Sequence, residues 1–424
     1  MKVCLLTIGA MGDTQPFIAL GARLKSQGHS VRLAARPDFE ALATSHGIEF
    51  APLGNSYESV MKDQEVAAAI GSGSLLKVLR QGSDRKQRQT FFERLDTDTL
   101  KAVAGAEAII YKSSWIPFSS YAEKLRVPCA AAMLMPLTRT KAFPSFLLGG
   151  GKERGRVINS LFWRLTEQFV WQVARGYDTK VRRELLNLPP LPLLGPARQH
   201  QEQRMPLLYA YSPAVLPRPA DWPARIHVTG YWFADPPAGW APPPELAAFL
   251  GGGPPPVYIG FGSMTGGNPE TTLRMILEAL ELSHQRGVLL SGWAGLGEGR
   301  PLPEYAFSVR SVPHGWLFPR VAAVVHHGGA GTTGAGLRAG VPSVLIPFVA
   351  DQPCWARRVE ELGAGPRPIP FRELTAERLA DAIRQATSNP AMRQRAAELG
   401  QRIRGEDGPG AAIEVFLDHV SREG

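Results

Sequence analysis

Residues 324–340 read VVHHGGAGTTGAGLRAG, two histidines and a cluster of glycines between an apolar run and a helical pattern. A helix N-terminus carries unpaired backbone N–H groups and roughly half a positive charge. Glycines let that backbone approach a ligand closely, and a histidine at the strand end adds a donor for an anionic oxygen. The combination points to a phosphate or diphosphate. The plainer reading is a tight strand–helix turn whose glycines serve packing, and two histidines with two threonines weigh against it. Read literally, Gly329-Ala330-Gly331-Thr332-Thr333-Gly334 is also a GxGxxG, with Asp351 about 20 residues on, as in a dinucleotide fold. Three features oppose a nicotinamide cofactor, the first being the two preceding histidines, which such a site does not need. The cluster comes late in its own α/β region, and the first βα turn of the chain, IGAMGD, is not GxGxxG.

The elements that must hold this turn are legible as alternating strands and helices. Strand patterns at 2–9, 29–35, 48–53, 106–113 and 127–134 are interleaved with helical ones at 17–28 and 37–47. The alternation stops over 201–256, which is dense in Pro, Gly and Trp and reads as a stiff connector, not a packed layer. It restarts with strands at 256–263, 287–293, 306–312, 322–327 and 342–348 and helices at 269–283, 315–321, 332–340 and 352–363. Strands separated by helices mean βαβ units and a parallel sheet. The expected fold is α/β with two doubly wound, Rossmann-like domains facing each other across a cleft, where ligands of such sheets bind. The expected domains are residues 1–236 for the acceptor, with a linker from about 215, and 237–405 for the donor. A helix at 406–424 is expected to pack back on the first domain.

Composition bounds the function. The 424 residues suit two or three domains, and 44% apolar with 20% charged content fits full-size globular cores. The net charge of +9 reads most plainly as that of a basic soluble protein and, more sharply, as attraction to phosphates or anionic membranes, and no dense Lys/Arg run with interleaved aromatics points to nucleic acid. Cys4, Cys129 and Cys354 are odd in number, far apart and set among apolar residues, which supports neither a disulfide framework nor a zinc site and fits a cytoplasmic location. The opening apolar run is short and reads as a first strand rather than a signal peptide. No apolar run reaches the ~18 residues a membrane span needs.

The chain resembles the bacterial branch of family 1, GT-B-fold glycosyltransferases that contains antibiotic and sterol glucosyltransferases. The marks are GAMGDTQPFIALGARLKSQGH near the start, ADWPARIHVTGYW, GFGSM, and SVPHGWLFPRVAAVVHHGGAGTTGAGLRAGVPSVLIPFVADQP. The resemblance implies an inverting transfer of a hexose, glucose favoured, from a nucleoside-diphosphate sugar. UDP-glucose is the favoured donor and a dTDP-sugar the alternative, with no permanently bound cofactor and no metal. It implies that His327 contacts the diphosphate and that Gly329, Ala330, Gly331 and Thr332 cradle it. It puts Ser263 near the phosphates, Val312, His314 and Trp293 around the base, and Asp351 with Gln352 on the sugar hydroxyls. The plain reading of Asp351 is a helix N-cap. His326 reads as a buried support for its neighbour. The resemblance also implies that Asp13 in the first βα turn is the general base. A carboxylate in a closed cleft has its pKa raised by desolvation, which suits that task, and Asp13 also suits a helix cap. Two departures stand out: Ala335 and Ser311 occupy the places of the Glu and Trp with which plant relatives hold ribose and uracil.

The acceptor region is expected in the first domain. Met11, Trp115, Phe118, Met133, Met135, Phe143 and Phe146 would make an adaptable apolar pocket, although each alone reads as ordinary core. As a set they imply a lipophilic acceptor: a sterol, polyketide, phenolic or lipid alcohol. The basic and aromatic stretch 149–183 reads either as a peripheral contact with the inner face of a membrane or, more plainly, as a solvated amphipathic helix. Asp96-x-Asp98 imitates a metal motif but lies in a polar helical stretch and reads as a solvated face. Competing readings are a dTDP-deoxysugar (rhamnosyl-type) transferase, a nucleotide-sugar epimerase, a non-catalytic nucleotide-sugar binder and an NAD-dependent oxidoreductase. Oligomeric state is not legible.

Overall fold

The computed structural model describes residues 1–56, 85–113, 116–147, 155–195, 205–237, 239–262, 268–291, 297 and 299–423, with backbone alone over 85–88. The expectations at Trp115, Ser263 and Trp293 lie outside the described residues. The described chain forms two compact units. One takes the residues up to Ala234 and those from Asp407 onward, and the other takes Asp235–Glu406.

The first unit is built on a seven-stranded sheet. Its strands are β1 (Lys2–Thr7), β2 (Ser30–Ala35), β3 (Glu49–Pro52), β4 (Ala108–Lys112), β5 (Cys129–Met133), β6 (Leu207–Tyr209) and β7 (Ile226–Val228). Their order is β3-β2-β1-β4-β5-β6-β7, all parallel. Parallel neighbours need crossovers, here α1 (Met11–Ser26), α2 (Glu40–Ser45), α3 (Arg85–Val103), α4 (Phe118–Leu125) and α5 (Arg156–Lys180). Helices on both faces bury the central strand β1, which is why Val3 through Leu6 are apolar without alternation and at most 2% exposed. The chain leaves β1 toward β2 on one side and resumes with β4 on the other. A crevice therefore opens at the C-terminal ends of β1 and β4, where Thr7 pairs in register with Lys112.

The stretch expected as a stiff connector is in large part core. Residues 207–209 and 226–228 are the two outer strands, and Tyr209, Tyr211, Trp222 and Trp232 are buried. Tyr209 and Trp222 stack at 5.0 Å, and the Arg218 guanidinium donates to the carbonyls of Pro219, Trp222, Pro223 and Ile226. Three-residue strands are too short to show a period, and prolines, tolerated beside sheet edges, masked them.

The second unit has a five-stranded parallel sheet of β8 (Val257–Gly260), β9 (Gly287–Leu290), β10 (Ala306–Val309), β11 (Ala323–His326) and β12 (Ser343–Leu345), in order β10-β9-β8-β11-β12. Around it lie α6 (Pro244–Gly251), α7 (Pro269–Leu282), α8 (His314–Leu317), α9 (Ala330–Ala339), α10 (Gln352–Glu361), α11 (Ala376–Ser388) and α12 (Pro390–Arg404). Alternate residues serve opposite faces: Val257, Ile259 and Val325 meet Ile276, Leu280, Leu379 and Ile383, while Tyr258 and Val324 meet Leu317 and Phe318. Side-chain caps start three helices. Asn268 accepts from Glu270 N–H (2.9 Å), Thr375 from Arg378 N–H (3.3 Å) and Asn389 from Met392 N–H (3.1 Å). The last helix, α13 (Gly408–Glu423), belongs to the first unit and packs on α1, with Arg23 and Asp407 paired at 2.9 Å beside it.

One buried carboxyl makes the first unit's stability pH-dependent. Asp178 near the end of α5 is 7% exposed, and its Oδ1 has no hydrogen-bond partner. Burial pushes its pKa up to about 6, against the pull of Arg182. A raised folded-state pKa leaves stability intact below the ordinary value of 3.8 and removes it as pH rises through about 6. Asp178→Asn is therefore expected to raise Tm by roughly 2–4 °C above that range. The gain should fade as pH falls toward 3.8, which thermal melts across pH will show.

Candidate functional site

At the first unit's crevice β1 runs into a tight turn, and α1 starts at Met11. Asp13 is the third residue of that helix. Ala10 N–H donates to its Oδ2 at 3.0 Å, half of a capping box, and Thr7 Oγ1 donates to its carbonyl at 3.3 Å. Gly9 makes room for this, because a Cβ there would collide with the carboxylate. From the end of β4, Lys112 brings its Nζ to 2.5 Å from Asp13 Oδ1. The two side chains keep 22% (Lys112) and 32% (Asp13) of their surface accessible. Within its own unit Asp13 is thus held in an ion pair. Lys112 escaped the sequence reading because it is 99 residues from Asp13 and only the strand register joins them.

Among the described residues, the apolar side chains expected around an acceptor fall into separate packing groups. Phe118 is fully buried at the start of α4, edge-on to Tyr111 at 6.4 Å, and Met133 packs half-buried on the same core. Phe146 is buried against Phe143 (5.7 Å), and Phe143 also meets Trp163 (6.5 Å) and Trp222 (6.2 Å) edge-on. Met135 is half-buried, and Met11 is 41% exposed at the tip of α1. The Asp96-x-Asp98 pair lies on helix α3, as its pattern suggested, but not on a solvated face. Tyr121 and Tyr177 donate to Asp96 Oδ1, and Gly54 N–H donates to Asp98 Oδ2 at 3.0 Å. Burial holds the Asp96 carboxyl above its usual range, against those tyrosine hydrogen bonds. The tyrosines come from α4 and α5, so no local pattern could announce them.

The second unit repeats the arrangement at the ends of β8 and β11, where its strand order reverses. Gly262, in the left-handed region at φ +66°, follows β8, and a Cβ on it would stand 3.4 Å from His327 Cε1. His326 is buried. Gly328 N–H donates to its Nδ1 at 3.1 Å, which leaves the ring proton on Nε2, a buried atom without a partner. His327 has an unpartnered Nδ1, and burial pushes its pKa down to about 4. His314, at the start of α8, stacks on Phe318 at 4.4 Å and lies 3.4 Å from the Tyr258 hydroxyl. Burial and then the neighbouring His327 bring it to about 4 as well.

Gly328 turns the chain at φ +91°, close under α10, where a Cβ would be 3.2 Å from the Gln352 carbonyl. Gly329 is the N-cap of α9 and offers no capping side chain, so the N–H groups of Ala330, Gly331 and Thr332 have no carbonyl within the helix to bond. At α10, Gln352 Oε1 accepts from Phe348 N–H (2.8 Å) and Val349 N–H (3.1 Å) and so fixes the turn after β12. Asp351 does not cap α10 with its side chain; its Oδ2 accepts from Trp355 Nε1 at 2.9 Å. Val312 is 6% exposed and packs with Leu317 and Phe318, so its side chain faces core. Uncharged imidazoles, close-approach glycines and open N–H groups at a helix's positive end suit an anion with several oxygens. Among the described residues no cluster of three or more His, Cys, Asp or Glu has metal-ligand geometry.

Residues 3–144 match the glycosyltransferase family 28 N-terminal domain, and residues 296–415 match the erythromycin biosynthesis protein CIII-like C-terminal domain. The chain is 36% identical over 441 residues to a sterol 3-beta-glucosyltransferase of Arabidopsis thaliana, covering 100% of this chain and 69% of that protein. It is 35% identical over 440 residues to a sterol 3-beta-glucosyltransferase of Cryptococcus neoformans, covering 98% of this chain and 27% of that one. The chain thus spans about two thirds of the plant relatives' length and about a quarter of the fungal one's. Its backbone is similar to the calicheamicin glycosyltransferase CalG4 (TM-score 0.67, 17% identity, 99% of this chain and 98% of that one). It is also similar to the glycosyltransferase VinC, solved in complex with dTDP (TM-score 0.65, 20% identity, 100% of both chains). These likenesses show the GT-B fold.

The depressed histidines make the second unit acid-sensitive. A base whose folded-state pKa is lowered leaves stability intact above 6.5 and removes it as pH falls toward about 4. The unfolding temperature of this unit is expected to drop across that window, and His327→Asn, which cannot titrate, should flatten the drop. Wild-type and variant melts of identical pH dependence would remove His327 from the account.

Proposed function

This chain belongs to the glycosyltransferase family of the sterol 3-beta-glucosyltransferases, and on that premise we propose that it moves glucose from UDP-glucose to the hydroxyl of a sterol-like lipophilic alcohol, inverting the anomeric carbon. The observation that carries the reading is the turn from His327 to Thr332 at the reversal of strand order. The names of the relatives support the choice of glucose and of a sterol-like acceptor.

In the proposed reaction Asp13 takes the proton of the acceptor hydroxyl as its oxygen attacks the sugar's anomeric carbon. The bond from that carbon to the diphosphate breaks, and the electron pair leaves with the diphosphate. The N–H groups of Ala330, Gly331 and Thr332 and the His327 imidazole meet that charge, so the step is written without a metal. Lys112 holds the Asp13 carboxylate in place through its 2.5 Å contact. We assign Asp351 and Gln352 to the sugar hydroxyls, His314 and the Val312 backbone to the base, and Ser263 and Trp293 to the same donor site. On the acceptor side, Met11, Met133, Met135 and Phe143 are the described residues of the expected set that keep accessible surface. A dTDP-sugar is the second reading: with Ala335 and Ser311 in place, the carboxylate and indole that would select ribose and uracil are missing from these positions.

Asp13→Ala is expected to lower kcat by ~10²–10⁴-fold and leave the UDP dissociation constant nearly unchanged. His327→Ala is expected to weaken UDP binding and slow transfer together, by about 10²-fold in kcat/KM. Steady-state kinetics with calorimetric UDP titration separate the two effects. Wild-type turnover in the Asp13 variant ends its role as base.

A further inference from the structure

Helix α5 carries an apolar surface that neither the sheet nor the proposed reaction uses. Val157, Leu161 and Leu165 recur at every fourth residue and are 82%, 54% and 55% exposed, with Ile158 beside them at 46%. Steps of three and four residues keep side chains on one helix face. Gln168 and Gln172 are the next residues on that face. Their amides donate to the carbonyls of Leu194 (2.6 Å) and Leu193 (3.0 Å), and Trp171 Nε1 also donates to Leu193 (3.0 Å). These bonds hold the 193–194 backbone against α5 and leave both leucine side chains outward, 62% and 73% exposed. Single exposed apolar residues are ordinary on a soluble surface, but six in one strip mark a contact surface.

The exposed charges on α5 are all positive. Arg156, Arg164 and Lys180 are exposed, and helical spacing puts Arg164 and Arg175 on the face of Val157 and Leu161. The two acids of the helix are taken up elsewhere: Glu167 faces Arg139 at 3.6 Å, and Asp178 is buried. The whole chain adds a net charge of +9. Apolar side chains framed by cations, with backbone groups already bonded, suit the interface of an anionic bilayer. A second copy of the chain would instead bring another positively charged face against this one.

We propose that α5 and Leu193–Leu194 form a docking surface for an anionic membrane. Docking sets the first unit against the lipid phase, where lipophilic alcohols partition. The surface stands on its own geometry and does not depend on the glycosyl-transfer reading.

The test floats the full chain with phosphatidylcholine vesicles, with or without phosphatidylglycerol. Wild type is expected to float with the phosphatidylglycerol vesicles, and less so as salt rises. Leu161→Asp combined with Leu165→Asp should lose about tenfold or more of that binding. Arg164→Glu should lose on the order of tenfold of the preference for anionic vesicles. All three changes are on exposed side chains, and an unaltered Tm confirms that the variants fold. Wild type that stays in the soluble fraction, or variants that float equally well, overturns the proposal. So does a wild-type dimer that the leucine variant turns into a monomer.

Discussion

Parallel strands joined by right-handed crossovers cannot fill a sheet in one direction and still keep helices on both faces. Somewhere the order must reverse, and there the two flanking crossovers leave in opposite directions and open a crevice. Each unit of this chain has one such reversal, between β1 and β4 and between β8 and β11. The chemistry-bearing residues gather at these two places. Asp13 follows β1 and Lys112 ends β4, while Gly262 follows β8 and His327 follows β11.

The two crevices handle charge in opposite ways. In the first, Asp13 and Lys112 form an ion pair at 2.5 Å that remains partly accessible. In the second, three histidines, His314, His326 and His327, lie within reach of one another, and burial keeps them neutral. Positive potential there comes from the start of α9, which carries no proton and needs no reorganisation when an anion arrives. Gln352 and Gly328 belong to the same device, one pinning the loop after β12 and the other letting the histidine turn lie against α10.

What could be read without coordinates was what is local along the chain. The strand end, histidines, glycines and helix start of residues 323–339 follow one another directly, so their chemistry is written in one stretch. Lys112 was invisible because register alone brings it to Asp13, and Asp96 looked solvated because its tyrosines come from other helices. The outer strands β6 and β7 failed to register because three residues carry no period and prolines surround them. Helices α11 and α12 went unread although both were legible: Thr375 and Asn389-Pro390 mark their starts, and α11 keeps a clear apolar face of Leu379, Ala382, Ile383 and Ala386.

The central claim is that the β11–α9 turn holds a nucleoside diphosphate. Calorimetric titration of the purified chain with UDP, dTDP, UDP-glucose and NAD, without added metal, tests it most directly. UDP or dTDP is expected to bind, and NAD is not. Binding of NAD with no response to either diphosphate would contradict it, and the GxGxxG of residues 329–334 would then be a dinucleotide fingerprint after all.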